Sequence, residues 1–390
     1  MRKGWEYKKL GEVCDVINGY AFKSSKYTSQ GTRIIRITNV QKGYVVDNDP
    51  KFYSDEDFKD LFQYSLFEGD LVMSLTGNVG RVGILQKNMI PAALNQRVAC
   101  LRVKSEKMRL NYLFHLLNSN LFEIAAIQSA RGIAQLNMST EWLKNYIIPL
   151  PPPSTQLAIV SELDKINELI RLKKEQLKDF DNLAQSLFYE MFGDPVENEK
   201  GWEVKTFGEI GSVERGAGIS KKDFVKEGLP CIHYGQLHTI LGPRTTKHFT
   251  SIPHNLLPKY KIAHTGDLVM AITSEDVEGS CKSTVWLGDY DIIVGSDAAI
   301  FHHKQDGTFL SYYTMTKAFF NEKAKYAKGF KVTHISAKEI EKIPVYLPPL
   351  SLQRLFAQRI EQIEREKSEV QKSIQDLETL LASRMQYWFE

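Results

Sequence analysis

The chain has 390 residues, which is enough for two or three domains, each with a hydrophobic core of its own. Hydrophobic residues make up 43% and charged residues 25% of the sequence, and it contains no apolar run of about 18 residues, so we expect neither a disordered chain nor a membrane span. The net charge of +3 permits nucleic-acid binding without indicating it, and no apolar stretch follows the basic first residues, so a secretory signal is not expected.

A tandem repeat is the most informative feature of the sequence. Three motifs recur at a constant offset of 197 residues, one near the start, one in the middle and one near the end of each copy. One unchanged offset along the whole chain excludes chance, so we infer a duplication. The paired motifs are Gly4-Trp5-Glu6 and Gly201-Trp202-Glu203, Gly69-Asp70-Leu71-Val72-Met73 and Gly266-Asp267-Leu268-Val269-Met270, and Leu150-Pro151-Pro152 and Leu347-Pro348-Pro349.

Each copy begins with a globular part of mixed secondary structure. In the first copy, runs rich in β-branched and apolar residues predict strands at residues 32–40, 70–75 and 98–103, and apolar spacing predicts a helix at residues 111–129. The second copy has predicted strands at residues 267–273 and 292–295 and a predicted helix at residues 309–326. A proline-rich segment, residues 149–153 or 344–349, ends each globular part.

A long helix is predicted after each proline segment, with Ser154 and Ser351 as N-caps. Apolar residues then occupy heptad a and d positions, interrupted by Lys173, Lys367 and Arg384. A sustained heptad favours a helix pair over the alternative, in which each helix packs only on its own domain. The apolar positions are Ile159, Leu163, Ile166, Ile170, Leu177, Phe180, Ala184, Leu187 and Met191, then Phe356, Ile360, Ile363, Val370, Ile374, Leu377, Leu381 and Trp388.

Element lengths favour an antiparallel pair. Residues 154–192 would form a rod of about 58 Å, whereas the connection 193–200 reaches at most about 28 Å. An antiparallel second helix leaves one globular domain at each end, related by a pseudo-two-fold axis. The predicted fold class is therefore α+β, with two domains of mixed structure (residues 1–150 and 194–350) separated by a long antiparallel coiled coil of two helices (residues 151–193 and 351–390).

This pattern resembles the specificity subunit of type I restriction-modification systems. The motifs that carry the resemblance are Gly-Trp-Glu followed by Lys8, Leu10, Gly11 and Glu12; Gly-Asp-Leu-Val-Met; Asn95-Gln96-Arg97; and Leu-Pro-Pro-Pro-Ser-Thr-Gln. The resemblance implies a cytoplasmic, non-catalytic subunit with two target-recognition domains that read a bipartite double-stranded DNA target. It implies that the helices set the spacing and dock two methyltransferase (modification) subunits, which restriction (nuclease and translocase) subunits join. It implies no cofactor on this chain, with S-adenosylmethionine, ATP and Mg on the partner subunits.

The two copies depart from each other where sequence reading is expected. The second copy has Ser296-Asp297 where the first has Asn95-Gln96, and residues 78–81 have no clear counterpart after Thr273. Base reading needs side chains such as Arg, Lys, Asn, Gln, Ser and Thr, and changed identities at equivalent positions predict different half-sites. The candidate base-reading residues are Arg36, Thr38, Asn39 and Gln41, aligned with His233, Gly235, Gln236 and His238, and a second set of Thr76, Asn78, Arg81, Gln96 and Arg97, with Ser274 and Ser296 as looser counterparts. The alternative for each is an ordinary polar turn.

Phosphate contacts are expected from basic residues in the same regions, because such contacts position a protein on DNA without specifying sequence. Any one of these side chains could equally be a solvated surface group. The candidates are Lys23, Lys26, Lys42, Arg131, Lys221, Lys222, Arg244, Lys247, Lys328 and Lys331.

No catalytic or metal signature accompanies these residues. The four cysteines form no C-x-x-C pair, and the histidines have no metal-ligand spacing, so we expect buried free thiols in a reducing cytosol and no metal site. A different class remains open: a non-catalytic scaffold with two duplicated protein- or glycan-binding domains on a coiled coil. An enzyme with an unrecognised active site is a third reading, disfavoured because no acid, base and nucleophile set occurs in both copies.

Overall fold

A computed structural model describes residues 2–130, 132, 136–254, 260–329 and 332–390. Two long helices, Pro153–Phe192 and Leu350–Phe389, accompany mixed globular parts. The chain divides into two compact units, one of Met1–Lys174 with Lys372–Glu390 and one of Glu175–Gln371. Each unit therefore combines one globular part with about half of each long helix. None of the described helices has the length and apolar character needed to cross a bilayer.

The first unit contains two four-stranded sheets. One is antiparallel, in the order Cys14–Asn18, Val98–Val103, Leu71–Ser74, Val82–Ile84; the other is mixed, in the order Phe52–Tyr53, Thr32–Ile35, Ala92–Leu94, Ser65–Leu66. Two short pairs, Glu6–Lys9 with Ile147–Leu150 and Val40–Gln41 with Tyr44–Val45, complete its strands as described. Its helices are Leu10–Val13, Asp55–Phe58, Leu110–Leu117, Asn120–Ser129 and Thr140–Asn145, with 3-10 turns at Ser24–Lys26, Lys59–Tyr64 and Lys87–Met89.

The second unit repeats this plan with one additional edge strand. Its larger sheet has the order Gly211–Arg215, Ala298–His303, Leu268–Ala271, Ser283–Trp286, Arg244–Thr245, and its smaller sheet the order Thr250–Ile252, Leu229–Ile232, Ile292–Val294, Lys261–Ala263. The short pairs are Glu203–Thr206 with Pro344–Leu347 and Thr273–Ser274 with Thr333–His334. Its helices are Phe207–Ile210, Tyr234–Thr239, Gly307–Tyr313, Lys317–Ala324 and Ala337–Ile340, with a 3-10 turn at Lys221–Asp223.

The repeated Gly-Asp-Leu-Val-Met motif forms a strand that is buried on both faces. Leu71 and Met73 face a core that includes the helical residue Tyr112, whereas Val72 faces a second core between the sheets. The preceding Asp70 closes the turn, because its Oδ2 accepts a hydrogen bond from the backbone N of Phe67 at 2.9 Å. Apolar side chains at Leu71, Val72 and Met73 suit a strand with two buried faces, and the second copy has the same three residues at the equivalent positions.

The long helices run antiparallel within each unit. In the first unit, Glu162 bonds Arg384, and further along Lys174 bonds Glu378 at 2.8 Å. In the second unit, Asp181 bonds Lys367 at 2.7 Å, and the ring of Phe188 packs on that of Phe356 at 5.6 Å. All predicted apolar heptad positions are buried or half-buried. The predicted fold class is confirmed; the predicted domain boundaries stay a prediction.

The predicted N-caps of the long helices are wrong. Ser154 and Ser351 lie inside the helices, which begin at Pro153 and Leu350. The backbone N of Gln156 already bonds the carbonyl oxygen of Pro152 at 3.0 Å. Proline suits the first turn of a helix because its φ is fixed near the helical value and its missing N–H has no intrahelical partner there. The proline segment therefore leads directly into the helix.

A buried glutamine ties each long helix to its globular part. Gln156 and Gln353 are 0% exposed. The side chain of Gln156 accepts from the backbone N of Arg109 at 2.9 Å and donates to the carbonyl oxygens of Lys107 and Pro151 at 2.7 and 2.8 Å. We call this arrangement the glutamine latch. In the second unit the latch of Gln353 joins Asp306 N at 3.0 Å, Pro348 O at 2.8 Å and Gln305 Oε1 at 3.0 Å.

The two helices predicted in the globular parts are each interrupted. Residues 111–129 form two helices that meet at Ser119, and residues 309–326 form two that meet at Thr316. The Ser119 hydroxyl accepts from the backbone N of Phe122, and the Thr316 hydroxyl accepts from that of Phe319, both at 3.3 Å. These N-caps start a new helix, so the predictions of single helices were wrong.

Candidate nucleic-acid interface

The same backbone hydrogen bonds surround the end of the central strand in both units. Leu75 N bonds the carbonyl oxygen of Arg97 at 2.9 Å, and Ile272 N bonds that of Asp297 at 3.0 Å. Just beyond, a β-bridge joins Thr76 to Asn137, and a strand pair joins Thr273 to His334. Thr76, Arg97 and Asn137 therefore occupy the same places in the first unit as Thr273, Asp297 and His334 in the second.

We call these equivalent backbone hydrogen bonds the backbone frame. The frame corrects the alignment of Ser296-Asp297. Val98 N bonds Asn95 O at 2.9 Å, and Ala298 N bonds Gly295 O at 3.1 Å, so Gly295 corresponds to Asn95. Ser296-Asp297 thus lies opposite Gln96-Arg97, one residue away from the predicted register. Inserted residues earlier in the second copy hide this shift from a comparison made at one fixed offset.

The backbone frame also identifies the segment of the second unit that corresponds to residues 78–81. Ser74 N bonds Arg81 O at 3.0 Å, and Ala271 N bonds Lys282 O at 2.9 Å. Lys282 therefore takes the place of Arg81, at the end of a loop that is four residues longer. The residue before each has a positive φ, 78° at Gly80 and 56° at Cys281. Both loops therefore close in the same way, although only one uses glycine.

Polar side chains converge around this frame in each unit. In the first unit, Arg81 Nη1 donates to Gln41 Oε1 at 2.8 Å, and Thr76, Gln96, Arg97 and Asn137 line a recess of about 380 Å³. The two candidate sets predicted from separate parts of the sequence therefore meet in three dimensions. We define the first patch as Gln41, Thr76, Arg81, Arg97 and Asn137, and the second patch as His238, Thr273, Lys282, Asp297 and His334.

The second patch is more closely bonded than the first. His238 Nε2 lies 3.1 Å from the carbonyl oxygen of Thr273, and Lys282 Nζ donates to the carbonyl oxygen of His238 at 3.3 Å. The Thr273 hydroxyl lies 3.0 Å from His334 Nδ1 and donates to Asp297 Oδ1 at 3.4 Å. His238, Thr273 and Lys282 line an open cleft of about 1400 Å³.

A buried lysine holds the long loop that borders this cleft. Lys323 is 4% exposed, and its ammonium donates to the carbonyl oxygens of Glu278 and Ser280 at 2.8 and 2.5 Å. Burial lowers the pKa of Lys323 from its usual value. The equivalent residue at offset 197 is Ala126, against which Gly80 packs closely in the first unit. The longer loop therefore has an anchor that the shorter loop does not need.

Four of the predicted base-reading residues hold turns. The side chain of Asn39, 2% exposed, accepts from the backbone N of Arg36 at 2.9 Å, and Gln236 accepts from the backbone N of His233 at 2.8 Å. Arg36 also donates to the carbonyl oxygen of Asp49, and burial lowers the pKa of His233. The predicted strand at residues 32–40 ends at Ile35 because this turn follows. Base contact by these four residues stays a prediction. In this structure their side chains form hydrogen bonds with backbone atoms.

The remaining base-reading candidates differ in how far they reach solvent. Thr38, Asn78 and Gln96 are exposed, whereas Ser274 is 7% exposed and accepts from the backbone N of Asp276. Ser296 is half-buried, and its carbonyl oxygen accepts from Arg215.

The predicted phosphate contacts divide into paired and unpaired groups. Lys26, Lys42 and Lys328 form ion pairs with Asp57, Glu123 and Glu339 at 2.5, 2.5 and 2.7 Å. Arg131 and Lys331 lie outside the described residues, and Arg244 is half-buried. The candidates that are exposed and form no ion pair with another described residue are Lys23, Lys221, Lys222 and Lys247.

Four patch residues were missed by the sequence analysis: Asn137, Lys282, Asp297 and His334. Asn137 and His334 share the offset of 197 and sit in equivalent polar positions, which was a usable signal. Lys282 and Asp297 lie after the four-residue insertion, so their correspondence to Arg81 and Arg97 becomes visible only from the backbone bonds.

Comparison with known proteins identifies a family. The family model of the type I restriction modification DNA specificity domain matches residues 2–179 and 199–379. The MjaVIII type I restriction enzyme specificity subunit of Methanocaldococcus jannaschii is 32% identical over 187 residues, which are 47% of this chain and 44% of that subunit. The chain thus spans less than half of that relative. The putative MjaX specificity subunit of the same organism is 24% identical over 411 residues, 97% of this chain and 92% of the relative.

A solved structure shares the fold. It belongs to a study of complex assembly and conformational transition in a type I restriction-modification system, and it aligns with a TM-score of 0.61 at 20% identity. The alignment covers 100% of this chain and 98% of the solved chain.

Proposed function

Because this chain belongs to the type I restriction-modification DNA specificity family, we propose that it reads a bipartite double-stranded DNA sequence, one half-site with each unit. The observation that carries the proposal is the pair of patches. Both patches have the same backbone hydrogen bonds, but the positions of Gln41, Arg81 and Arg97 in the first patch are occupied by His238, Lys282 and Asp297 in the second. Equivalent backbones with different polar side chains suit two domains that recognise different half-site sequences.

The patch residues match the chemistry of base edges. Arginine and lysine donate to the O6 and N7 atoms of guanine, and glutamine pairs with the N6 and N7 atoms of adenine. Arg81 and Lys282 supply the first kind of group at equivalent places, and Gln41 supplies the second. The exposed lysines Lys23 and Lys247 would bond phosphates, which adds affinity that falls with salt but carries no sequence information.

The proposed role is binding alone. This chain would direct adenine-N6 methylation or restriction that partner subunits perform in the cytoplasm. S-adenosylmethionine, ATP and Mg would all be held by those partners, so the chain itself needs no cofactor. The relatives named above are specificity subunits, which disfavours the alternative of a scaffold that binds protein or glycan.

Two copies of a methyltransferase subunit are the proposed core partners, joined by restriction subunits. Leu183 and Leu380 support a repeated docking surface, because they lie on the two long helices at an offset of 197 residues. They are 51% and 46% exposed, whereas the adjacent heptad positions are buried or half-buried. Equivalent exposed leucines on a duplicated chain suit two copies of one partner.

Selection from a random DNA library tests the proposal. The full chain, purified with its methyltransferase subunit, is incubated with duplexes that carry a randomised region of about 30 base pairs. The expected result is enrichment of two short motifs separated by a fixed non-specific spacer. Enrichment of no motif, or of a single continuous one, contradicts the proposal.

A further inference from the structure

The two patches carry opposite charge at one equivalent position. Arg97 and Asp297 follow the same strand end, and their carbonyl oxygens accept the same backbone bond, from Leu75 and Ile272. Each is followed by a buried residue that starts the next central strand, Val98 or Ala298. The two sites therefore share these backbone bonds, and the opposite charge comes from the side chain.

The side chain of Arg97 is available for a ligand. It is exposed and makes no hydrogen bond or ion pair with any other described residue, and it lines the recess with Thr76 and Asn137. The Thr76 hydroxyl oxygen is buried there and has no partner among the described residues either. A guanidinium of this kind presents a planar fork of donors, which suits a pair of acceptors on one base edge.

Stability does not explain Asp297. Its nearest cation is Arg215, with Nη2 at 3.9 Å, and the two side chains are 40% and 64% exposed. Such an ion pair contributes little to folding. Its other bond, from the Thr273 hydroxyl, is long at 3.4 Å. One carboxylate oxygen therefore stays free to accept a stronger hydrogen bond.

Resting on the proposed function, we propose that Arg97 reads a guanine in one half-site and that Asp297 reads a cytosine at the equivalent place in the other. A carboxylate only accepts hydrogen bonds and is repelled by phosphates, so its place in a DNA-facing patch requires an amino group opposite it. Cytosine presents N4–H₂ in the major groove, whereas adenine sets the acceptor N7 beside its amino group, which would repel the second carboxylate oxygen.

Affinity for substituted duplexes tests this assignment. The complex of the full chain with its methyltransferase subunit is first used to select the wild-type motif. Its affinity is then measured for duplexes changed at one base pair at a time. One guanine and one cytosine, in different half-sites, are expected to matter by about ten- to a hundredfold. R97Q should remove the preference for that guanine alone, and D297N the preference for that cytosine alone.

Reciprocal variants extend the test, because each one introduces the residue that the other repeat has at the equivalent position. R97D is expected to select cytosine in place of the guanine, and D297R to select guanine in place of the cytosine. R215Q is the matched control: it removes the neighbour of Asp297 and should leave the motif unchanged. Thermal unfolding of each variant confirms that the fold is kept.

Three results would overturn the assignment. R97Q could weaken all duplexes equally and lower the salt dependence by about one counterion, which would make Arg97 a phosphate contact. D297N and R215Q could alter the motif together, which would make the ion pair structural. The wild-type complex could select both half-sites without either base, which would leave the proposed function standing; selection of no motif at all would remove that function too.

Discussion

Burial of the His303 imidazole predicts that the stability of the second unit depends on pH. Burial lowers the pKa of His303 to about 4, and its Nε2 has no hydrogen-bond partner among the described residues. In the unfolded chain the pKa of histidine is about 6.5. Between these pH values His303 is protonated in the unfolded state but neutral in the folded state. The free energy of unfolding therefore falls as the pH drops from about 6.5 towards 4.

His303→Val tests this dependence, because Val103 occupies the equivalent strand position in the first unit, paired with Cys14 as His303 is with Gly211. Between pH 7 and pH 5, the wild type should lose about 2 kcal/mol more unfolding free energy than the variant. Chemical denaturation at both pH values measures the difference. The exposed His254 provides a control, as His254→Val should follow the wild type. An equal loss of unfolding free energy in the wild type and in His303→Val would show that protonation of His303 does not destabilise the folded state.

At the scale of elements, the long loop of the second unit depends on Lys323. Lys323→Met keeps the aliphatic stem but leaves the carbonyl oxygens of Glu278 and Ser280 without their donor. We expect a loss of about 1–3 kcal/mol in unfolding free energy and faster hydrogen exchange in residues 276–282. Lys325→Met is the control, because the ammonium of Lys325 is exposed and pairs with Glu322 alone among the residues that the structure describes. Unchanged exchange in the loop would refute the anchoring role.

The proposed docking surfaces on the long helices predict how many methyltransferase copies each chain binds. Leu183→Glu and Leu380→Glu should each remove one methyltransferase copy, because a carboxylate replaces an apolar contact on one helix only. Native mass spectrometry should show one partner per chain for either variant and two for the wild type. Asn182→Glu and Thr379→Glu change exposed neighbours and should retain both copies. Loss of both copies from a single substitution would argue against two equivalent docking sites.

The sequence predicted those elements whose signal is periodic. The heptads were correct because each apolar position repeats the same burial over many turns. The interruptions at Ser119 and Thr316 were missed because apolar residues continue on both sides of the caps. The burial of Asn39 could not be predicted, because it depends on tertiary contacts with residues 46–48; base contact by this residue stays a prediction. Lys282 and Asp297 were missed because a length change in one loop breaks the register that local comparison needs.

At the scale of the whole molecule, half-site identity should belong to one globular part at a time. Replacing residues 4–150 with the equivalent segment of a relative should change one half of the selected motif and leave the other half unchanged. Library selection with the chimeric complex measures both halves in one experiment. A change in both halves, or in neither, would contradict the assignment of one half-site to each unit.

The glutamine latch bears on whether a globular part can be exchanged between related chains. Gln156 holds the globular part through the main-chain atoms of Lys107, Arg109 and Pro151, so the bonds do not depend on which side chains those positions carry. Genetic recombination that crosses over near the Leu-Pro-Pro codons would join a foreign domain to the resident helix with the latch intact. Under the proposed function, such an exchange would change the half-site that the globular part reads without compensating mutations at the junction.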